Sequence, residues 1–306
     1  MSLTNYRYFL FLSLLPVLFS SPAWAHLGAP FDRHMQFNPW KIDPFAISLL
    51  LITAWIYWRG CQRFRTRAAV FRQRQYYFWI GWSALAIALA SPLDPMGEYL
   101  FSAHMVQHEL MMLVAAPLLV ISQPVSALLR GMATPFGRAF GKLARNKSAR
   151  YVWDWISSPA VAWFIHAIGL WGWHLPSLFN TGLQNSWVHA LQHTSFLWVA
   201  MVFWFALFRS RHESTSAGVL YLFTTAIHAS LLGALLTFSP VVWYTPYLLT
   251  TSQWGLSALE DQQLGGLIMW MPAGIVFIAG GLASLARAMQ SSDSKVLRPH
   301  NPGGNR

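Results

Sequence analysis

Residues 104–119 have the sequence HMVQHELMMLVAAPLL, an apolar run of the kind that crosses a lipid bilayer as a helix. His104, His108 and Glu109 interrupt this run with ionisable side chains. Such side chains are costly to bury in lipid, and where they occur they usually mark a functional site. The stretch therefore predicts a membrane fold and a site within it.

The composition of the whole chain supports the same fold class. Of 306 residues, 55% are hydrophobic and only 10% are charged, whereas soluble domains carry about 25% charged residues. The 17 Trp and 21 Phe residues suit a protein with aromatic belts at the membrane interfaces. Because Cys61 is the single cysteine, the chain cannot form an internal disulfide or a CxxC site, and soft-metal chemistry would need His, Met or carboxylate ligands.

The N-terminus predicts a cleavable signal peptide over residues 1–25. Arg7 supplies the positive flank, an apolar stretch follows, and Ala23-Trp24-Ala25 has the small-x-small pattern of a cleavage site. The alternative is an uncleaved anchor helix. Cleavage would expose His26, whose amine and imidazole could together chelate copper.

We predict an all-α, polytopic helix bundle in which about seven transmembrane helices follow the signal peptide. Seven apolar segments are close to the length of about 20 residues that a bilayer requires. They form a single transmembrane domain over residues 26–289, and the Ser-, Pro- and Gly-rich tail 290–306 is predicted to be disordered. The segments are 43–58, 76–92, 99–122, 158–174, 187–208, 216–239 and 264–288.

The basic residues predict the orientation of the bundle. Most of the 21 Lys and Arg residues fall in loops 59–75 and 123–157, after the fifth segment and after the seventh. Because cytoplasmic loops are rich in Lys and Arg, this pattern places the N-terminus outside and the C-terminus in the cytoplasm. The net charge of +11 is therefore explained by topology, with the lipid bilayer as partner and no nucleic acid.

Two histidine pairs predict a metal site in the outer half of the bundle. His104 and His108 are spaced i, i+4 on the third segment, and His189 and His193 repeat this spacing on the fifth. Residues spaced i, i+4 share one face of a helix, and helices use this spacing to chelate metals. A haem site, a proton path and structural packing are the alternatives.

Further candidate ligands accompany the two pairs. Asp261 opens the seventh segment on the same side and is included in the predicted site. Imidazole suits zinc, copper, iron and nickel, and thioether ligands would favour Cu(I), although Met residues more often fill a core. The weaker candidates are His174, His228, His166, Gln262, Met105 and Met269.

Three ordered motifs resemble one known family. SPLDPMGEYLFSAHMVQHELMMLVAAPLL, WVHALQHTSFLWVAMVFW and EDQQLGGLIMWMPAG are similar to the CtaG-type, multi-span cytochrome c oxidase assembly proteins of bacteria. The resemblance implies an inner-membrane protein that helps to assemble a haem–copper oxidase and supplies copper to the oxidase subunit carrying the copper centre. The matching positions are His104, His108, His189, His193, Asp261, Gln262, Gly265, Gly266, Met269 and Trp270.

Four functions remain open on the sequence. The first is a non-enzymatic assembly factor that binds copper through the two histidine pairs at the periplasmic side, with Asp261 orienting a ligand or completing the site. The second is a copper transporter, the third a haem-binding cytochrome, and the fourth a scaffold without metal. We expect no enzyme, since the chain lacks a hydrolase triad, a P-loop and a dinucleotide fingerprint.

Overall fold

A computed structural model describes residues 37–40, 43–64, 69–210 and 215–296. All regular structure among these residues is helical, which confirms the all-α class. The signal peptide, His26 and residues 297–306 lie outside the described residues, whereas the first part of the predicted tail, residues 290–296, continues the last helix. The α-helices are α1 Pro44–Gln62, α2 Ala69–Ala90, α3 Leu93–Gly97, α4 Phe101–Glu109, α5 Ala116–Ser122, α6 Val125–Gly131, α7 Thr134–Arg145, α8 Lys147–Ile156, α9 Pro159–Trp173, α10 Pro176–Gln184, α11 Ser186–Ser210, α12 Thr215–Thr237 and α13 Ala258–Val296.

Each of the seven predicted membrane segments coincides with a helix or a continuous helical run. Five of these are long and apolar enough to cross a membrane: α1, the run from α4 to α5, α11, α12 and α13. Helix α2 begins with a basic, polar stretch, and α9 has only 15 residues. The chain is thus a helical membrane protein, and the count of seven spans stays a prediction.

A π-helix at Leu110–Ala115 joins α4 to α5. Its wider turn shows in the hydrogen bond from the amide of Ala116 to the carbonyl of Met111, five residues earlier. The indole of Trp204 donates to the carbonyl of Met112 at 2.8 Å. The irregular turn is therefore supported by α11, and π-turns inside helices are frequent at functional sites.

Glycines allow α13 to approach two neighbouring helices. A Cβ on Gly266 would lie 2.7 Å from the backbone nitrogen of Thr237 on α12, and a Cβ on Gly265 would collide with the ring of Phe101 on α4. A Cβ on Gly233 of α12 would likewise lie 2.7 Å from the Cβ of Trp270 on α13. Gly265 and Gly266 therefore allow α13 to approach α4 and α12 closely, each on a different face of the helix.

The basic loop 123–157 forms three helices, α6 to α8. Helix α6 packs on α1, where a Cβ on Gly60 would collide with the carbonyl of Ala127. Helices α7 and α8 carry Lys and Arg together with exposed Phe136, Tyr151 and Trp155. This combination is typical of helices that lie in a membrane interface.

The opposite end of the bundle, called here the site end, is formed by residues 93–100 and 238–257. The second of these segments contains two short 3₁₀ turns, Thr245–Leu249 and Thr251–Trp254. Its Tyr247 hydroxyl donates to the carbonyl of Gly97 at 2.8 Å, and the hydroxyl of Thr250 donates to the carbonyl of Tyr99 at 2.9 Å. These bonds hold the segment across the start of α4.

Candidate metal centre

Helix α4 is held in place by a carboxylate from α13. Asp261 accepts hydrogen bonds from the amide of Phe101 at 2.6 Å, from the amide of Ser102 at 3.1 Å and from the Ser102 hydroxyl. Leu100 at the N-cap has no side chain that could do this, and the first amides of a helix need an external partner. Asp261 therefore caps α4 and fixes the helix that carries the first histidine pair.

The two predicted histidine pairs face each other across α4 and α11. Within the pairs, the ring centroids lie 4.3 Å apart for His104 and His108, and 4.1 Å apart for His189 and His193. Between the pairs, the ring of His104 lies 5.4 Å from that of His189, and the ring of His108 lies 5.3 Å from that of His193. We call these four residues the histidine cluster.

Nitrogen atoms of this cluster are close enough to share one ion. One ring nitrogen from each of His104, His189 and His193 lies within 4.8 Å of the other two. The fourth member, His108, contacts one ring of each pair, namely His104 on its own helix and His193 on α11. The spacing on two separate helices thus produces one compact set of imidazoles.

Most nitrogens of the cluster are buried without a hydrogen-bond partner. His104, His108 and His193 are at most 7% exposed, and His189 is partly exposed. Neither ring nitrogen of His104 or His108 has a partner, and the same is true of Nε2 in His189 and His193. A buried polar atom without a partner is destabilising. This arrangement is the one expected of ligands whose metal supplies the missing contact.

His174 is oriented toward the same region from the end of α9. Its Nδ1 lies 2.7 Å from the carbonyl oxygen of Leu170, and since a carbonyl only accepts, this nitrogen carries the hydrogen. Nε2 then has a free lone pair, and it is buried without a partner. A second hydrogen bond of this kind commonly fixes the tautomer of a metal-binding histidine. The His174 ring lies 6.4 Å from that of His108, so it stands beside the cluster.

Aromatic side chains pack around the cluster. Phe179 lies 5.0 Å from the ring of His104, and Phe196 lies 4.5 Å from that of His108. Tyr244 packs on Phe179 at 4.2 Å and donates its hydroxyl to the carbonyl of His174 at 3.0 Å. The segment 238–257 therefore closes the site end, a role that the sequence patterns did not indicate.

Asp94 is a second feature that the sequence analysis missed. The amide of Gln107 on α4 donates both to Asp94 at 2.7 Å and to the carbonyl of Ala88 at 2.8 Å. Burial raises the pKa of Asp94, and the nearby imidazole of His189 opposes this shift. Its carboxylate is thus an acidic group close to the cluster. The available signal was its position in the SPLDP motif, ten residues before His104.

The weaker candidates lie in three other places. Gln262 accepts from the amide of Trp243 at 2.6 Å and donates to the carbonyl of Val241 at 3.1 Å, so both ends of its amide are used. Met105 is buried in the core against Gly265. The remaining candidates, His166, His228 and Met269, lie at or beside a separate cavity described below.

The structure therefore brings together His104, His108, His189 and His193, with His174 beside them. Asp261 and Gln262 support the helices and the covering segment through hydrogen bonds to backbone groups. The clustered donors are all imidazoles, a set that suits copper, zinc, iron or nickel.

Comparison with known proteins gives one family match. Residues 55–291 match the model of the cytochrome c oxidase caa3 assembly factor family. Uncharacterized proteins of Mycobacterium bovis and Mycobacterium tuberculosis are each 27% identical over 255 residues, which cover 78% of this chain and 38% of the relative. An uncharacterized protein of Mycobacterium leprae is 24% identical over 260 residues, covering 79% of this chain and 39% of the relative. The chain thus spans about two fifths of the length of these relatives, and no solved structure matches it.

Proposed function

The chain belongs to the cytochrome c oxidase caa3 assembly factor family, and from this premise we propose that it binds copper through the histidine cluster and supplies it to a haem–copper oxidase during assembly. The bound ion is cargo in this proposal, and the protein performs no catalytic step. The partner is the oxidase subunit that receives the copper.

One observation carries the proposal. Ring nitrogens of His104, His189 and His193 lie within 4.8 Å of one another, and several of the cluster's nitrogens are buried without a partner. Structural histidines in membrane helices normally satisfy their nitrogens with an interhelical hydrogen bond. A transition-metal ion would satisfy several of these lone pairs at once.

Copper is the metal that the donor set and the family together favour. Imidazole binds copper well, and among the first-row divalent ions Cu²⁺ forms the most stable complexes. The set contains no thiolate, whose strong binding of Cu(I) would make release harder. A site of imidazole ligands can bind the ion and still release it to a site of higher affinity.

The geometry argues against the haem alternative. A porphyrin held between two helices would need its full width to be free of other side chains. Five of the six pairs among the four rings instead have centroids 4.1 to 5.6 Å apart, which is close to van der Waals contact. Phe179 and Phe196 fill the adjacent space, which leaves little room for a large planar cofactor.

The charge pattern supports a periplasmic position for the site. The basic helices α7 and α8 belong on the cytoplasmic side of a bacterial inner membrane. The second and fourth spans lead from that side to residues 93–100 and His174, so the site end faces the periplasm. Copper destined for an oxidase could reach the cluster there without crossing the membrane.

Metal binding by purified protein tests the proposal. The full chain in detergent is loaded with copper under reducing conditions, washed, and analysed for metal content and for its visible spectrum. We expect His189→Ala/His193→Ala to retain one copper ion fewer than the unmodified protein, without a Soret band in either sample. Leu191→Ala is a matched control, because Leu191 lies on the same helix and is 50% exposed.

Three results would contradict the proposal. Equal copper content in the unmodified protein and the histidine variant would exclude the cluster as the site. A Soret band would indicate a cytochrome. Copper uptake into sealed vesicles containing the protein would indicate a transporter, the alternative in which the ion crosses the membrane.

A further inference from the structure

A second group of potential ligands lies on another face of the helix that bears His104 and His108. Glu109 follows His108 directly, and consecutive helical residues point about 100° apart. Its side chain therefore turns away from the histidine cluster, and it lines a cavity together with Met112, His166 and Met269. These four residues come from α4, the π-helix, α9 and α13, so separate parts of the bundle converge on one space.

Each ionisable group that lines this cavity has one buried polar atom without a hydrogen-bond partner. Oε2 of Glu109 and Nδ1 of His166 are both buried without a hydrogen bond, and His166 is only 4% exposed. The other polar group of the lining, the Trp204 indole, is already used by the carbonyl of Met112. A carboxyl oxygen and an imidazole nitrogen that are buried in this way inside a bilayer are destabilising, which favours a ligand at this position.

The donor types indicate which ligand. Met112 and Met269 offer soft thioethers, which select Cu(I), while His166 offers an imidazole. The single carboxylate of Glu109 would balance the single charge of Cu(I). A divalent ion would leave a net positive charge in a medium of low dielectric constant, where an uncompensated charge is costly.

His228 extends the group toward α12. Its ring lies 5.5 Å from that of His166, and both of its nitrogens are buried without a partner. The indole of Trp163 packs against it at 5.1 Å. His228 does not line the cavity itself, so we assign it no direct contact with an ion there.

We propose that the cavity formed by Glu109, Met112, His166 and Met269 is a second copper site, which binds Cu(I). The identity of the metal rests on the proposed function of the histidine cluster. Because Glu109 and His108 are adjacent in sequence, the two sites lie on neighbouring faces of one helix. An ion could thus occupy a position deeper in the bundle than the histidine cluster.

Cu(I) titration of the full-length protein in detergent tests this site. A chromophoric Cu(I) chelator competes for the ion, and X-ray absorption reports whether sulfur is among the ligands. We expect two Cu(I) ions per unmodified chain. His189→Ala/His193→Ala should retain one, and the retained ion should show sulfur ligation.

Substitution of the thioethers then separates the two sites. Met112→Leu/Met269→Leu preserves side-chain volume. In the His189→Ala/His193→Ala background it should remove the sulfur signal and lower the affinity for the retained ion by at least about tenfold. Met111→Leu/Met201→Leu is the matched control, since both residues are buried and neither lines the cavity. Glu109→Gln should lower the affinity for the same ion and leave the affinity of the histidine cluster unchanged.

The outcomes distinguish this inference from the proposed function. If the unmodified chain binds one ion and the histidine variant none, the second site is overturned and the histidine cluster stands. The second site is also overturned if the retained ion has only nitrogen and oxygen ligands, or if its affinity is unchanged by the methionine substitutions. No copper in the unmodified chain overturns both proposals.

Discussion

Two sets of buried polar side chains meet at the site end of the bundle, and they differ in what their polar atoms contact. Asp261 and Gln262, the anchoring pair, are at most 1% exposed and bond to backbone groups of α4 and of the segment 238–257. The histidine cluster is buried nearby with most of its nitrogens unpaired. Burial of polar groups alone therefore does not identify a site, and it is the grouping of several imidazoles without partners on two helices that indicates one here.

This contrast changes the interpretation of Asp261. Its position suggested a ligand or a group that orients one, and the structure supports the second possibility, since three donors at the start of α4 already occupy the carboxylate. The anchoring pair thus contributes stability and geometry, and the cluster should contribute metal affinity. Each prediction below separates these two contributions.

The largest expected effect comes from the anchoring pair. Asp261→Ala leaves two backbone amides and one hydroxyl buried without an acceptor, each worth roughly 1–3 kcal/mol. We expect the free energy of unfolding in detergent to fall by about 3–5 kcal/mol, as measured by denaturant titration of the metal-free protein. Asp261→Asn keeps one acceptor oxygen, so its free energy of unfolding should fall by less. An unchanged stability in Asp261→Ala would show that α4 is held by other contacts.

The cluster should respond in the opposite way. His193→Leu removes a buried nitrogen that has no partner, and replacing such a group with an apolar one of similar size is nearly neutral or stabilising. We expect the metal-free stability to stay the same or to rise, while Cu(I) affinity falls by about tenfold to a hundredfold, or about 1.4–2.7 kcal/mol. A large loss of metal-free stability would instead mean that His193 is a structural residue.

Substitution of Gln262 should also lower stability, but by less than substitution of Asp261. Gln262→Leu leaves the amide of Trp243 and the carbonyl of Val241 without their side-chain partner. We expect a loss of about 1–2 kcal/mol in the free energy of unfolding and an unchanged stoichiometry of bound copper. Loss of copper together with retained stability would place Gln262 in the metal site after all.

The sequence was sufficient for the long apolar helices and for the members of the cluster, but not for the shorter helices between them, such as the three in loop 123–157. Long apolar segments must form helices in a membrane because every backbone group needs a partner, and the i, i+4 spacing places His104 with His108 and His189 with His193 whatever the tertiary structure. The pairing of α4 with α11 was only suggested by similar depth. It depends on packing between distant segments, which no local pattern encodes.

The remaining features depend on the same long-range packing. The π-helix at Leu110–Ala115 is supported by Trp204, about 90 residues further along the chain. The segment 238–257 is a connection between two apolar runs in the sequence, and its role as a cover depends on contacts with Gly97, Tyr99 and His174. Asp94 likewise becomes notable only once Gln107 and His189 lie beside it.

The smallest expected effect is a pH dependence that arises from Asp94. Burial raises the pKa of this carboxyl in the folded protein above its ordinary value. Its contribution to stability is therefore fully present below the pKa of the unfolded chain and is lost as the pH rises through the folded pKa. Asn at this position cannot ionise, but it still offers an oxygen to the amide of Gln107.

Asp94→Asn should therefore gain stability relative to the unmodified protein as the pH rises from about 4 toward 7. The measurement is the thermal unfolding midpoint of both metal-free proteins across this range. The difference between the two midpoints reports the ionisation of Asp94 together with its interaction with the neighbouring imidazole of His189. A constant difference would mean that solvent or a polar neighbour already compensates the carboxylate. Asp94 would then resemble the anchoring pair, whose polar atoms are satisfied by hydrogen bonds within the fold.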